Sequence, residues 1–319
     1  MIKSCIVFLV LSMITLADAA GFKVGLVTDI KGLGDRSFND SSMEGITRAE
    51  KIFNFKASVL VPQTTGEIGE DLLRLAIGKC DLIVAAGYSM HDAVLKAAEQ
   101  YPEIRFAIVD SVVNLPNVCS IVFREEEGAY LAGMAAAYVS KTGKIGFVGG
   151  MDVPLIDKFR LGYSQGAFAV NPAVKILSGY TGSYGEPVKG KEEAVRLYKG
   201  GADVIFSAAG LSGLGVISAA EESKFYAIGV DRDQDDLAPG SVLTSMVKRV
   251  DEAVYQVVKE TYGGNFTPGV RRYGLREGGV GLTDFKFTKN NLPADLFIRL
   301  EQAKRDIISG RIKVNAVKR

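Results

Sequence analysis

The feature that most constrains this chain is a series of short, mainly apolar segments alternating with helical stretches, recurring from Gly21 nearly to the end. Residues 23–28, 57–61, 81–86, 105–109 and 118–123 are runs dominated by apolar residues rather than alternating ones. Continuous runs mark strands of a parallel sheet covered on both faces by helices. Helices are predicted between them near 39–53, 66–79 and 89–101. The second half repeats the plan, with strands at 144–148, 174–177, 203–207 and 226–230 and helices near 154–170, 187–199 and 212–223. A third section holds a strand at 241–247, a helix at 250–262, a Gly-rich extended stretch at 274–285 and a last helix near 292–309. Two βα repeats with pieces left over predict two doubly wound α/β lobes joined by crossing hinge strands. The expected division is 21–123 plus about 246–275 for one lobe and 124–245 plus about 276–319 for the other, with a ligand cleft between them.

The charge balance narrows the partners. Lys and Arg number 38 against 37 Asp and Glu, so no basic surface invites a nucleic acid. Residues 1–20 read as a signal peptide: Lys3, an apolar run too short to span a bilayer comfortably, then Ala17-Asp18-Ala19-Ala20. Export to the periplasm or the outer face of the cytoplasmic membrane is expected. A signal peptide also stands where a DNA-binding head would stand in repressors with two-lobed bodies. Gly21 follows the cleavage region, where a lipoprotein needs Cys, so a lipid anchor is not supported. Cys80 and Cys119 remain, read as two buried thiols rather than a disulfide.

Three strands end in aspartate, at Asp29, Asp110 and Asp231. Ligands of open α/β sheets bind beyond the carboxyl ends of strands, so these acids stand where a ligand would sit. They suit ribose hydroxyls and the N–H groups of a base, and they repel phosphate. Asp35-Arg36-Ser37-Phe38-Asn39 follows the first strand, and Ser37 or Asn39 can cap the helix after it. Phe38 is either a hydrophobic staple toward Ile46 or a stacking platform for a flat ligand. Phe206 is either its partner in the second half or plain core. Lys248, read with Asp231, could hold ribose hydroxyls.

Two motifs are set aside. Gly210-Leu211-Ser212-Gly213-Leu214-Gly215 has the reverse of the dinucleotide glycine spacing. Asp231 to Asp236 opens like a calcium loop, but Asp236 stands where glycine is required and Val242 where glutamate is. No cofactor or metal is expected.

Several stretches, in order along nearly the whole chain, resemble the basic membrane protein family of ABC-transporter substrate-binding proteins, which includes purine nucleoside receptors. They are Val27-Thr28-Asp29 with Asp35-x-Ser37-Phe38-Asn39, Gly128-Ala129-Tyr130-Leu131-Ala132-Gly133, Gly143 to Met151, Gly201 to Phe206, Gly229-Val230-Asp231 and Thr244 to Arg249. The resemblance implies a type I periplasmic-binding fold, a monomer that works with an ABC permease and ATPase, and a purine nucleoside ligand: guanosine, inosine or adenosine. It implies that Phe38 and Phe206 sandwich the purine, that Asp110 bonds the base and that Asp231 and Lys248 hold the ribose. Asp29 and Asn39 complete the polar lining, and Gly210 lets backbone approach. One departure is Tyr184, where relatives often have Phe; Glu186 likewise replaces a common Asp before Pro187.

Three other readings follow from the residues. A nucleoside hydrolase would need a compact metal cluster or a positioned acid and base; the three separated strand-end acids do not exclude one, but the export signal and the absence of a compact metal motif disfavour it. A sugar-binding protein of the same fold keeps the cleft, but sugar sites often stack on Trp, and this chain has none. A surface adhesin or antigen role is compatible with the same chain.

Overall fold

The computed structural model describes residues 21–64 and 66–316. The expected signal segment, 1–20, lies outside the described residues. Strands β1 (Val24–Val27), β2 (Ser58–Leu60), β3 (Leu82–Ala86), β4 (Arg105–Val109), β5 (Val118–Phe123) and β11 (Gly269–Tyr273) form one six-stranded sheet, in the order β11-β5-β4-β3-β1-β2. All its pairs are parallel. Strands β6 (Lys144–Gly149), β7 (Lys175–Tyr180), β8 (Val204–Ala208), β9 (Tyr226–Asp231), β10 (Val242–Lys248) and β12 (Val280–Leu282) form the second, in the order β12-β10-β9-β8-β6-β7. Only β12 runs antiparallel there. Every residue of β1, β3 and β8 is buried, as sheets covered on both faces require.

Helices α1 (Phe38–Phe53), α2 (Glu67–Ile77), α3 (His91–Gln100) and α8 (Val250–Tyr262) pack on the first sheet. Helices α4 (Glu125–Val139), α5 (Pro154–Val170), α6 (Pro187–Lys199), α7 (Gly213–Ser223) and α9 (Ala294–Ser309) belong with the second. The chain crosses between the lobes three times: from β5 into α4, from β10 into α8, and from β11 to β12. The crossings are tied together, Arg124 N–H to Tyr273 O at 2.9 Å and Arg249 N–H to Gly279 O at 2.8 Å. The second crossing falls after Lys248 rather than near residue 246, because β10 keeps its ladder with β12 through Lys248.

Two elements carry no clear period in the sequence. Helix α4 is buried over Glu125–Ala137, on all sides, so its hydrophobicity has no polar face to alternate with. It lies directly against α5: a Cβ on Gly133 would run into the Tyr163 carbonyl, and one on Gly166 into that of Tyr130. Strand β11, Gly-Val-Arg-Arg-Tyr, is an edge strand with partly exposed residues. Cys80 and Cys119 are free buried thiols, and burial pushes the Cys119 thiol up to about 11. No described helix is long and apolar enough to cross a membrane.

Candidate functional site

The carboxyl ends of β1, β3, β4, β6, β8 and β9 open on one cavity of about 380 Å³ between the lobes. The first lobe supplies Asp29, Phe38, Asn39, Tyr88 and Asp110 to its wall. The second supplies Met151, Phe159, Tyr184, Gly210 and Asp231, and Lys248 stands at a crossing. A cavity of this size suits a small ligand, with an apolar body and a few polar groups to orient it.

The loop after β1 is built around Asp35. Its buried carboxylate accepts from the N–H groups of Ser37 (2.9 Å), Asn39 (2.8 Å) and Asp40 (3.1 Å), so it caps α1 in place of Ser37 or Asn39. Both side chains are thereby freed for the cleft. Asn39 Nδ2 donates to Asp29 Oδ1 at 3.0 Å, and the Asp29 N–H returns to Asn39 Oδ1 at 3.4 Å. The Ser37 hydroxyl crosses to the other lobe and donates to the Asp231 carboxylate. Gln234 Nε2 adds a second bridge, to Arg36 O at 3.0 Å, and Arg232 a third, to Glu44 at 2.8 Å. The lobes therefore meet around the cavity as a closed pair.

Asp110 and Asp231 occupy matching places at the ends of β4 and β9. Both have left-handed backbone, with φ of 67° and 66°. That conformation is uncommon for a residue with a side chain, Asp and Asn being the most tolerant, and it turns the chain sharply where each strand stops. Burial raises the Asp231 pKa to about 6, against the opposing pull of Lys248 and the Ser37 hydroxyl.

Lys248 is 2% exposed and sits in a charge chain. Its Nζ is 2.7 Å from both oxygens of Asp110 and 3.0 Å from Glu125 Oε1, and Glu125 Oε2 takes Lys158 Nζ at 2.6 Å. Burial works against the ammonium, yet Asp110, Glu125 and Asp231 hold its pKa above the ordinary lysine value. Burial also works against the Glu125 carboxylate, and here Lys248 and Lys158 win, holding it below the usual range. For Asp110 burial prevails and its pKa is raised. The rings of Phe123, Phe38 and Phe159 surround the ammonium, with centroids at 5.1, 5.3 and 5.8 Å. Lys248 is thus first a clamp between the end of β4 and the start of α4, and it also borders the cavity.

Seven of the eight expected site residues line the cavity: Asp29, Phe38, Asn39, Asp110, Gly210, Asp231 and Lys248. Phe206 does not. It is fully buried, its ring packed against Tyr163 (5.4 Å), Phe147 (5.8 Å) and Phe159 (6.3 Å). It lies two residues inside the end of β8, so its side chain enters the layer between sheet and α5 instead of passing beyond the strand. The aromatic residues that line the second-lobe wall are Phe159 and Tyr184. Glu125 and Lys158 were missed as polar partners, because Glu125-Glu126-Glu127 reads as a solvated charge run. All three are buried in the first turn of α4, where the helix dipole favours acids.

With this geometry the comparisons decide the family. Residues 22–318 match the family described as ABC transporter substrate-binding protein PnrA-like. The chain belongs to that family. It is 38% identical over 320 residues to Basic membrane protein A1 of Borrelia garinii, covering 97% of this chain and 93% of that one. It is 36% identical over 316 residues to the CD4+ T-cell-stimulating antigen of Listeria innocua, covering 92% and 88%. A solved ABC-transporter solute-binding protein from Aeropyrum pernix superposes with a TM-score of 0.88 at 30% identity, over 94% of each chain. The type I fold of periplasmic solute-binding proteins is thus the fold of this family member, and its cavity has the interlobe position of a substrate site.

Proposed function

We propose that this substrate-binding protein captures a purine nucleoside outside the cytoplasm and presents it to an ABC permease and ATPase. The observation that carries the reading is the make-up of the cavity: Phe38 from one lobe and Phe159 and Tyr184 from the other, with acids at its polar ends. A purine is a flat apolar body with N–H groups at its edge, and its ribose offers hydroxyls. Stacking on rings holds the first, and carboxylates such as Asp29 and Asp231 accept from the others. Of the sandwich expected from sequence, Phe38 is kept and the opposite face is assigned to Phe159 and Tyr184 in place of Phe206. Asp110 keeps its assignment to the base while both its oxygens hold Lys248, since each oxygen accepts more than one hydrogen bond. Four acids line the site, Asp29, Asp35, Asp110 and Asp231, against Lys31 and Lys248, which disfavours a phosphorylated ligand. The segment 1–20 is assigned to export.

Calorimetric titration of the chain from Gly21, unfolded and refolded to strip carried-over ligand, tests this. Submicromolar binding of guanosine, inosine or adenosine, with little heat from cytidine or ribose, is the expected result. Silence toward every nucleoside, or a preference for ribose, would remove the purine assignment.

A further inference from the structure

The run from Asp231 to Asp236, which fails as a calcium loop, is held in shape by its own side chains. The Asp235 carboxylate accepts from Ser245 Oγ at 2.7 Å and from Thr283 Oγ1 at 2.8 Å, and Ser245 Oγ in turn accepts from the Gln234 N–H at 3.0 Å. Asp233 Oδ1 takes the Asp235 N–H at 3.0 Å. Within this fixed loop, Gln234 is 2% exposed, and its Oε1 accepts from the N–H of Val230, in β9, at 3.0 Å. Its Nε2 crosses to the other lobe and donates to Arg36 O at 3.0 Å. Gly229 leaves room for the amide: a Cβ there would stand 2.7 Å from Gln234 Oε1 and 2.8 Å from Ser245 Oγ.

The receiving side is equally fixed. Asp40 takes the N–H groups of Gly34 (2.7 Å) and Arg36 (2.9 Å), and Asp35 those of Ser37 and Asn39. Arg36 sits between them with left-handed backbone, at a φ of 52°. Both ends of the bridge are thus in place before it forms, and little ordering is left to oppose it. The bridge joins the two cavity walls without touching what they enclose. Val230 and Asp231 line the cavity on one side, Asp35 and Phe38 on the other, and Gln234 does not line it. The ion pairs between the same loops, Arg36 with Asp236 at 3.6 Å and Arg232 with Glu44 at 2.8 Å, join partly exposed side chains and contribute little. The buried amide is neither screened by salt nor able to exchange its partner for water while the lobes are shut.

We propose that Gln234 is a positioning residue for ligand capture: through one amide it sets the Phe38 loop against the Asp231 strand end as the lobes close, and so retains what has bound. Val230 and Arg36 belong to different lobes, so the full bridge exists only in the closed form. A ligand entering the open form meets no such bond, and a ligand leaving the closed form must wait for it to break. Gln234 therefore acts on dissociation and not on association.

The test is the split between the two rates, measured by stopped flow at pH 8 on the wild type, Gln234→Glu and Gln234→Met. Glu keeps the acceptor for the Val230 N–H and sets an oxygen against Arg36 O, while Met fills similar space and makes neither bond. The probe is guanosine, a choice that rests on the nucleoside reading above. Both variants are expected to release guanosine about tenfold faster, with association within about twofold of wild type. A residue that merely stabilised the second lobe would lower the melting temperature and leave both rates alone. Dissociation unchanged in both variants, or association slowed as much as dissociation is quickened, overturns the role of Gln234 and leaves the nucleoside reading standing. A wild type that binds no nucleoside overturns that reading alone, and spin labels on the two lobes of the unliganded protein then decide for Gln234: a closed population that falls in the variants supports the role, and one unaltered in both overturns it.

Discussion

Replacing Lys248 with Met tests the charge chain at the crossing directly. Met keeps an unbranched side chain among the rings of Phe38, Phe123 and Phe159 while removing the ammonium. Lys248 Nζ lies 2.7 Å from Asp110 and 3.0 Å from Glu125, so the two buried carboxylates are within about 6 Å of each other. Like charges at that spacing repel by about 3 kcal/mol at an effective dielectric near 20. Breaking a buried ion pair by removing one partner costs about 3–5 kcal/mol in general, and the two figures agree. With roughly 0.6 kcal/mol per kelvin of unfolding entropy for a chain near 300 residues, the melting temperature should fall about 5–8 °C at pH 8. The sign of the pH dependence follows from proton binding. Without the ammonium, one carboxylate takes up a proton in the folded protein at a pH where the unfolded chain holds none. Stability of the variant then falls as pH rises, so its deficit against wild type should be smaller at pH 5 than at pH 8. Melting curves at the two pH values, without ligand, read both effects. A variant that melts within about 1 °C of wild type at pH 8, or one with equal deficits at both pH values, would refute the clamp.

Phe38→Ala should weaken purine nucleoside binding at least about tenfold, from the roughly 1–3 kcal/mol that one stacking ring contributes, whereas Phe206→Leu should lower the melting temperature and leave calorimetric affinity within about threefold. Burial lifts the Glu126 carboxylate to about 7, and its Oε2 has no partner. The folded state therefore holds this proton between the unfolded value of 4.5 and about 7, and its contribution to stability is lost as pH rises through that window. Glu126→Gln should raise the melting temperature at pH 8 by several degrees, about 3 kcal/mol in free energy, with little change below pH 4.5; equal shifts at both ends would contradict the assignment.

What the sequence revealed and what it hid have separate physical causes. The central strands of both sheets were legible because strands buried on two faces are apolar nearly throughout, whereas the partly exposed edge strand β11 escaped prediction. The strand-end acids were legible for the same reason: once the strands were placed, Asp29, Asp110 and Asp231 fell beyond their carboxyl ends, where the cavity opens. Helix α4 was not, because burial on every side erases the alternation that marks a helix. The double duty of Lys248 was hidden too. Its partners Asp110 and Glu125 lie 138 and 123 positions away in sequence, and only the three crossings bring them together. Phe206 shows a finer limit. A phenylalanine near a strand end reads alike as core or as stacking platform, and two residues of strand decide which. Its ring is core, yet it packs against Phe159, which lines the cavity. The buried cluster of Phe147, Tyr163 and Phe206 therefore borders the cavity only through Phe159, against which the Phe206 ring packs.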